Sequence, residues 1–277
     1  MKSVLILATT LAAMASGAYA GPVFLTGHDP DFHAQGQLSG QNELRVALKF
    51  VTNNTYNGGV IKFLFVESDI SPPGGHLIGE GGLTAIGLTE GVHYDEVDAA
   101  GLAALPNFNA YSAIVVASDY GGLLTDAEIT GLTARKAEIA SFVNAGHGLA
   151  AFSECGVGFP ACQSDLVLPT TPLYGFVPIG VSAAPTTAPY TVTPYGASLG
   201  LTNADVSDCC THNSFPSAFG LNVVDFDQAG IPTTLAGNVK ITQGGFAPEP
   251  GSWALMLLGF GAVGGRIRRR TRQSAPV

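Results

Sequence analysis

Short apolar runs alternate with amphipathic stretches along this chain. Pro22 to Thr26 is a short apolar strand, and Leu44, Leu48 and Val51, at i, i+4 and i+7, predict a helix over Gly40 to Val51. Ile61 to Val66 reads as a second strand, followed by a Pro/Gly-rich loop from Ser71 to Gly82. Ala113 to Ala117 is apolar throughout, as strands buried on both faces of a parallel sheet are. Thr125-Asp126-Ala127-Glu128 has the form of a capping box: the Thr oxygen serves the N3 amide and the Glu reaches back to the cap amide. Ile129, Leu132, Ile139, Phe142 and Val143 trace one face of the helix it opens, and Gly146 offers the stop before a strand at Gly148 to Ser153. Strand, helix, strand at this spacing predicts a right-handed βαβ unit. Beyond Pro160 the pattern weakens, with strands expected at Tyr174 to Val181 and Tyr190 to Thr193. Leu221 to Phe226 and Thr234 to Ile241, joined through Asp227 to Pro232, predict a closing β-hairpin. Without repeats or an internal boundary, residues 21–247 read as one α/β domain.

Both ends carry uncharged runs of another kind. Lys2, the apolar stretch Val4 to Ala15 and the small-residue triplet Ala18-Tyr19-Ala20 form a secretory signal over residues 1–20, with cleavage expected before Gly21. At the other end, Pro248-Glu249-Pro250 precedes an uncharged run from Gly251 to Gly265 and then Arg266, Arg268, Arg269, Arg270 and Arg272. Fifteen residues of helix reach roughly 22 Å, a short span that snorkelling arginines and a thinned bilayer can accommodate. The positive-inside rule keeps those arginines cytoplasmic and leaves the body outside.

These ends change the charge balance. Of 12 Lys and Arg, one lies in the signal and five in the tail, whereas 20 of the 21 acidic residues lie in the body. Six cations against 20 anions give the exported part a net charge near −14. Such a body repels polyanions, which excludes nucleic acid as a partner.

The tail resembles the PEP-CTERM sorting signal of exported bacterial proteins, on Pro248, Glu249, Pro250, Trp253, Ala254, Leu255, Met256, Gly259, Phe260, Gly261, Gly264 and the arginine cluster. Such tails are also labelled ice-binding protein C-terminal domains, but the tail is an address and supports no ice-binding claim. The resemblance implies recognition and removal by an exosortase-type membrane enzyme, transient anchoring in the inner membrane, and a setting at the cell surface or in exopolysaccharide. In the body, Val97-Asp98, a helix over Leu102 to Leu105, Tyr111 leading into Ile114-Val115-Val116, Leu124-Thr125-Asp126, and Phe142 to Gly146 before Gly148 to Ser153 are similar to class I glutamine-amidotransferase-like proteins, including the trehalose-utilisation-type branch. That resemblance implies a flavodoxin-like, mostly parallel sheet; it does not imply the amidotransferase reaction.

In that family a nucleophile sits on the turn after the strand corresponding to Gly148 to Ser153, which here places Glu154 or Cys155 at the elbow. The pattern departs from the family: no His-x-Glu follows near the end of the chain, and the small-residue spacing fits neither candidate. Four cysteines in an exported chain, Cys155, Cys162, Cys209 and Cys210, read as disulfides. A bridge between adjacent Cys209 and Cys210 is strained, which favours each joining Cys155 or Cys162 and bringing His212 beside the elbow. Gly27 to His33 follows the first strand, and His28, Asp29, Asp31 and His33 offer ligands that suit zinc or manganese; turn chemistry is the plainer reading of the same residues. Glu154 and His212 are the distant residues that could complete such a site. No nucleotide-binding spacing accompanies the glycine-rich loops, and no organic cofactor is expected. The expectation is an exported envelope domain that binds or scaffolds. The alternative is a metal-assisted hydrolase using Glu154, or the His28–His33 cluster with His212.

Overall fold

A computed structural model describes residues 20–59, 61–68, 80–119, 124–153, 174–177, 188–207, 213–242 and 245–248. Glu154, Cys155, Cys162, Cys209, Cys210 and His212 lie outside these residues, as do the signal segment and the tail beyond Pro248. Among the described residues, no helix is long and apolar enough to cross a membrane.

The chain forms β1 (Gly21–Thr26), α1 (Pro30–His33), α2 (Leu38–Val51), β2 (Phe63–Val66), α3 (Glu80–Ala85), β3 (Tyr94–Val97), α4 (Ala99–Ala104), β4 (Ala113–Val116), α5 (Asp126–Ala134), α6 (Lys136–Asn144) and β5 (Gly148–Ala151). There follow β6 (Thr191–Val192), α7 (Pro194–Leu199), β7 (Asn222–Phe226), β8 (Pro232–Thr242) and β9 (Gly245–Pro248). The nine strands of the described residues join one mixed sheet, ordered β3-β2-β4-β5-β1-β8-β7-β6, with β9 also paired to β8. The first five strands are parallel to one another; β6 to β9 add the antiparallel portion.

Alternation within the strands divides the core into two layers. Phe24, Phe63, Phe65, Val115 and Ala150 face α2 through Leu44, Ala47, Leu48 and Val51. Val23, Leu25, Leu64, Ile114, Val116 and Leu149 face the helices after β3 and β4 through Leu102, Ile129, Leu132, Ile139 and Phe142. Strand connections moving one way across the sheet carry helices on one face, and those moving back carry them on the other, as uniformly handed crossovers require. Asn144 fastens α6 to β8, its amide donating to the Ile241 carbonyl (2.9 Å) and its side-chain oxygen accepting from the Ile241 amide (2.8 Å).

The capping box at Thr125 and Glu128 forms as expected. The helix it opens is interrupted at Arg135, where φ is −97° and ψ 12°. There the guanidinium donates to the Leu102 carbonyl and Glu138 and lies 4.0 Å over the Phe108 ring. The expected strand from Tyr174 is not formed over residues 174–177, which make a turn closed by the Val177 amide on the Tyr174 carbonyl. Tyr174 instead seals the sheet end: its hydroxyl donates to the carbonyls of Thr26 (2.9 Å) and Ala151 (3.1 Å), and its ring stacks on Phe215.

Candidate functional site

The carboxyl ends of β1, β2, β4 and β5 lie side by side, where a doubly wound sheet gathers chemistry. Gly27 makes the first turn after β1 because no side chain fits there: a Cβ would fall 1.8 Å from the Asn213 carbonyl oxygen. The Gly27 amide donates to the Thr233 carbonyl (2.7 Å), and the Asn213 amide donates to the Gly27 carbonyl (3.0 Å). The Ser153 amide donates to the His28 carbonyl (3.2 Å). The residue before Glu154 and the residue after His212 are thus held on the successive carbonyls of His28 and Gly27.

His28 points into a buried polar network. Its Nε2 lies 2.9 Å from Asp225 Oδ2, which also accepts from the Thr233 hydroxyl, and its ring meets Tyr190 edge to face. Thr26 Oγ1 donates to Glu43 (3.1 Å) and lies 2.9 Å from the Thr234 hydroxyl. Across α1, His33 Nε2 lies 3.3 Å from Asp29, and the Ser118 amide at the end of β4 donates to Asp31 Oδ2 (2.8 Å). His28, Asp29, Asp31, His33, Glu43, Ser118, Ser153 and Asp225 are all buried. The cavity beside His28, His33 and Glu43 measures about 10 Å³, the room of a single water.

Burial alone lowers the basicity of the His28 imidazole, but Asp225, Glu43 and Asp29 outweigh it and raise its pKa to about 9. Burial pushes the Glu43 carboxyl up to about 8, with His28 opposing and Asp225 adding to the rise. Burial likewise lifts Asp31 to about 6, against the Ser118 amide that stabilises its anion. At neutral pH the network therefore holds a cationic His28 beside Asp225 and a protonated Glu43.

The sequence reading picked out His28, Asp29, Asp31 and His33 but not Glu43, Asp225, Thr26, Thr233 or Ser118. The two histidines turn Nε2 toward different carboxylates, His28 toward Asp225 and His33 toward Asp29. A separate group, also missed, lies toward the β3 side of the same sheet edge: carboxylate oxygens of Glu67, Glu80 and Glu96 lie within 4.8 Å of one another. Oxygen donors of this kind suit calcium, magnesium or manganese. Beside them, a cavity of about 320 Å³ is lined by Glu80, Glu90, Glu96 and Asp98.

A third feature lies at the opposite, amino-terminal edge. A cavity of about 370 Å³ opens between the start of β1, the end of α2 and α7, lined by Pro22, Val46, Lys49, Phe50, Asn53, Asn54, Ser198, Leu199 and Asn238. Its described lining residues supply three carboxamides, a hydroxyl and an ammonium group and no carboxylate.

By its architecture the body is an α/β domain with a polar network at the carboxyl edge of its parallel strands. Residues 247–270 match the PEP-CTERM protein-sorting motif. The motif implies that the protein is exported, sorted to the cell envelope and processed by an exosortase. No curated protein and no solved structure matches the chain.

Proposed function

We propose that the exported body is a non-catalytic binding domain of the cell surface, and that its ligand is a saccharide of the surrounding exopolysaccharide. The observation that carries this reading is the amino-edge cavity. Its volume suits a small ligand, and its amides can both donate to and accept from neighbouring hydroxyls. Phe50 adds an apolar wall. Its single ammonium group, with no carboxylate among the described lining residues, suits neutral or singly anionic saccharides. The buried network at the other edge serves architecture: its imidazoles and carboxyls interact with one another in a space too small for a substrate. Titration calorimetry against a panel of neutral and acidic oligosaccharides tests the reading. Lys49→Ala and Asn238→Ala, both at exposed positions, should each weaken binding about tenfold without moving the melting temperature. Absence of binding across the panel, or binding indifferent to both substitutions, overturns it.

A second reading, a metal-assisted hydrolase on an amidotransferase-like fold, is favoured by the hydrogen bonds from Ser153 and Asn213 to Gly27–His28. They bring the immediate neighbours of Glu154 and His212 to the first βα turn. The parallel strand order supports the fold likeness, since β3-β2-β4-β5-β1 becomes the flavodoxin order 2-1-3-4-5 when β1 is counted last. Elemental analysis separates the two readings. Stoichiometric zinc or manganese lost in His28→Ala/His33→Ala supports the hydrolase; a folded, metal-free protein argues for the binding domain.

A further inference from the structure

We propose that, while its tail is attached, the domain stands on an anionic bilayer on the amino-terminal edge of its sheet and turns its acidic carboxyl edge outward. Gly21 and Pro248 pair with the same residue, Val239, one through β1 and the other through β9. Two strand spacings separate them, about 10 Å, so the first residue of the exported body and the last described residue before the tail lie together at the amino-terminal edge. Only Glu249 and Pro250 intervene before the uncharged run begins at Gly251, so that run starts within about 11 Å of Pro248. The carboxyl end of β1 is five residues further along the strand, about 17 Å away from this level.

The charge distribution agrees with this placement. Of the body's six cations, Lys49 lies near the end of α2, Lys62, which pairs with Asp95, just before β2, and Lys240 beyond the level of Gly21, all toward the amino-terminal edge. Asp29, Asp31, Glu67, Asp98 and Asp119 follow the parallel strands at the other edge. An anionic head-group layer attracts Lys49 and Lys240 and repels the exposed Asp98, whereas Asp29, Asp31, Glu67 and Asp119 are buried. Ile61 and Val92 stand two residues before the register partners Phe63 and Tyr94, and are 51% and 63% exposed. They give the amino edge a pair of apolar side chains flanking Lys62, suited to the head-group boundary.

Trp253, in the tail, is the chain's single tryptophan, so placed indoles can report position. The full-length chain carrying Trp253→Phe is reconstituted in phosphatidylglycerol-containing vesicles with a nitroxide-head-group lipid. Single reporters are Asn57→Trp or Val92→Trp at the amino edge and Gln228→Trp or Ile231→Trp at the β7–β8 turn on the carboxyl edge. All four positions are exposed, and circular dichroism confirms folding of each variant. The amino-edge reporters should lose at least twice the fraction of their emission lost by the carboxyl-edge pair. Equal quenching, reversed quenching, or no quenching at either edge overturns the proposal.

Discussion

Replacing Glu43 by glutamine should make the protein more stable at pH 8 while changing little at pH 5. Glu43 is buried in α2 and accepts a hydrogen bond from Thr26. Its carboxyl titrates near 4.5 when free and near 8 in the fold. Because the folded value is raised, its contribution to stability is full below pH 4.5 and is lost as pH rises through 8. At about 1.4 kcal/mol per pH unit, the loss is below about 1 kcal/mol at pH 5 and about 4 kcal/mol at pH 8. Glutamine keeps the shape and an acceptor for Thr26 but does not titrate. The shifts of His28 and Asp31 have the same sign, and comparing the two proteins at each pH largely cancels them. Urea unfolding followed by circular dichroism should therefore show Glu43→Gln gaining about 3 kcal/mol relative to the parent between pH 5 and pH 8. A difference that stays within about 0.5 kcal/mol at both pH values would show that Glu43 is ionised in the fold, and the reasoning would fail.

Asp225→Asn leaves the buried His28 without its carboxylate and should cost about 3–5 kcal/mol by urea unfolding; histidine NMR should show the His28 titration moving down from about 9. Gly27→Ala drives a Cβ into the Asn213 carbonyl and should cost about 3 kcal/mol, read from the same denaturation midpoint. Thr125→Ala removes the cap of α5 and should cost about 1 kcal/mol, with the amides of Ala127 and Glu128 exchanging faster with deuterium.

The parallel half of the sheet was legible because its signals are local. The apolar strand at Ala113, the box at Thr125–Glu128 and the stripe from Ile129 to Val143 depend on neighbours within a few residues. The polar network depends on residues brought from far apart. Asp225 lies 197 positions from His28, and irregular register between β7 and β8 around Asp225 interrupts the simple alternation that would assign its face. Glu43 stands beside Leu44 in the buried stripe of α2, a charged residue inside an apolar pattern, and that was the available clue to the network. Tyr174 misled the strand reading because an aromatic residue favours strands and plugs alike, and its positive φ of 61° is fixed by the turn it makes rather than by its neighbours in sequence. The Glu67, Glu80 and Glu96 group was invisible for a simpler reason: the three residues have no common spacing until β2, β3 and α3 bring them together.

The central place of β1 has a consequence in time. It is the first strand to leave the ribosome, yet it is finished between β5 and β8, and its Thr26 bonds to Thr234 across 208 positions. Until the chain is complete to Val239, one edge of that strand lacks its full set of partners, and such late, long-range closure is slow. A chain built in this order stays open during synthesis, as threading through a narrow translocation channel requires. The sheet then closes with only its last few dozen residues still to pass.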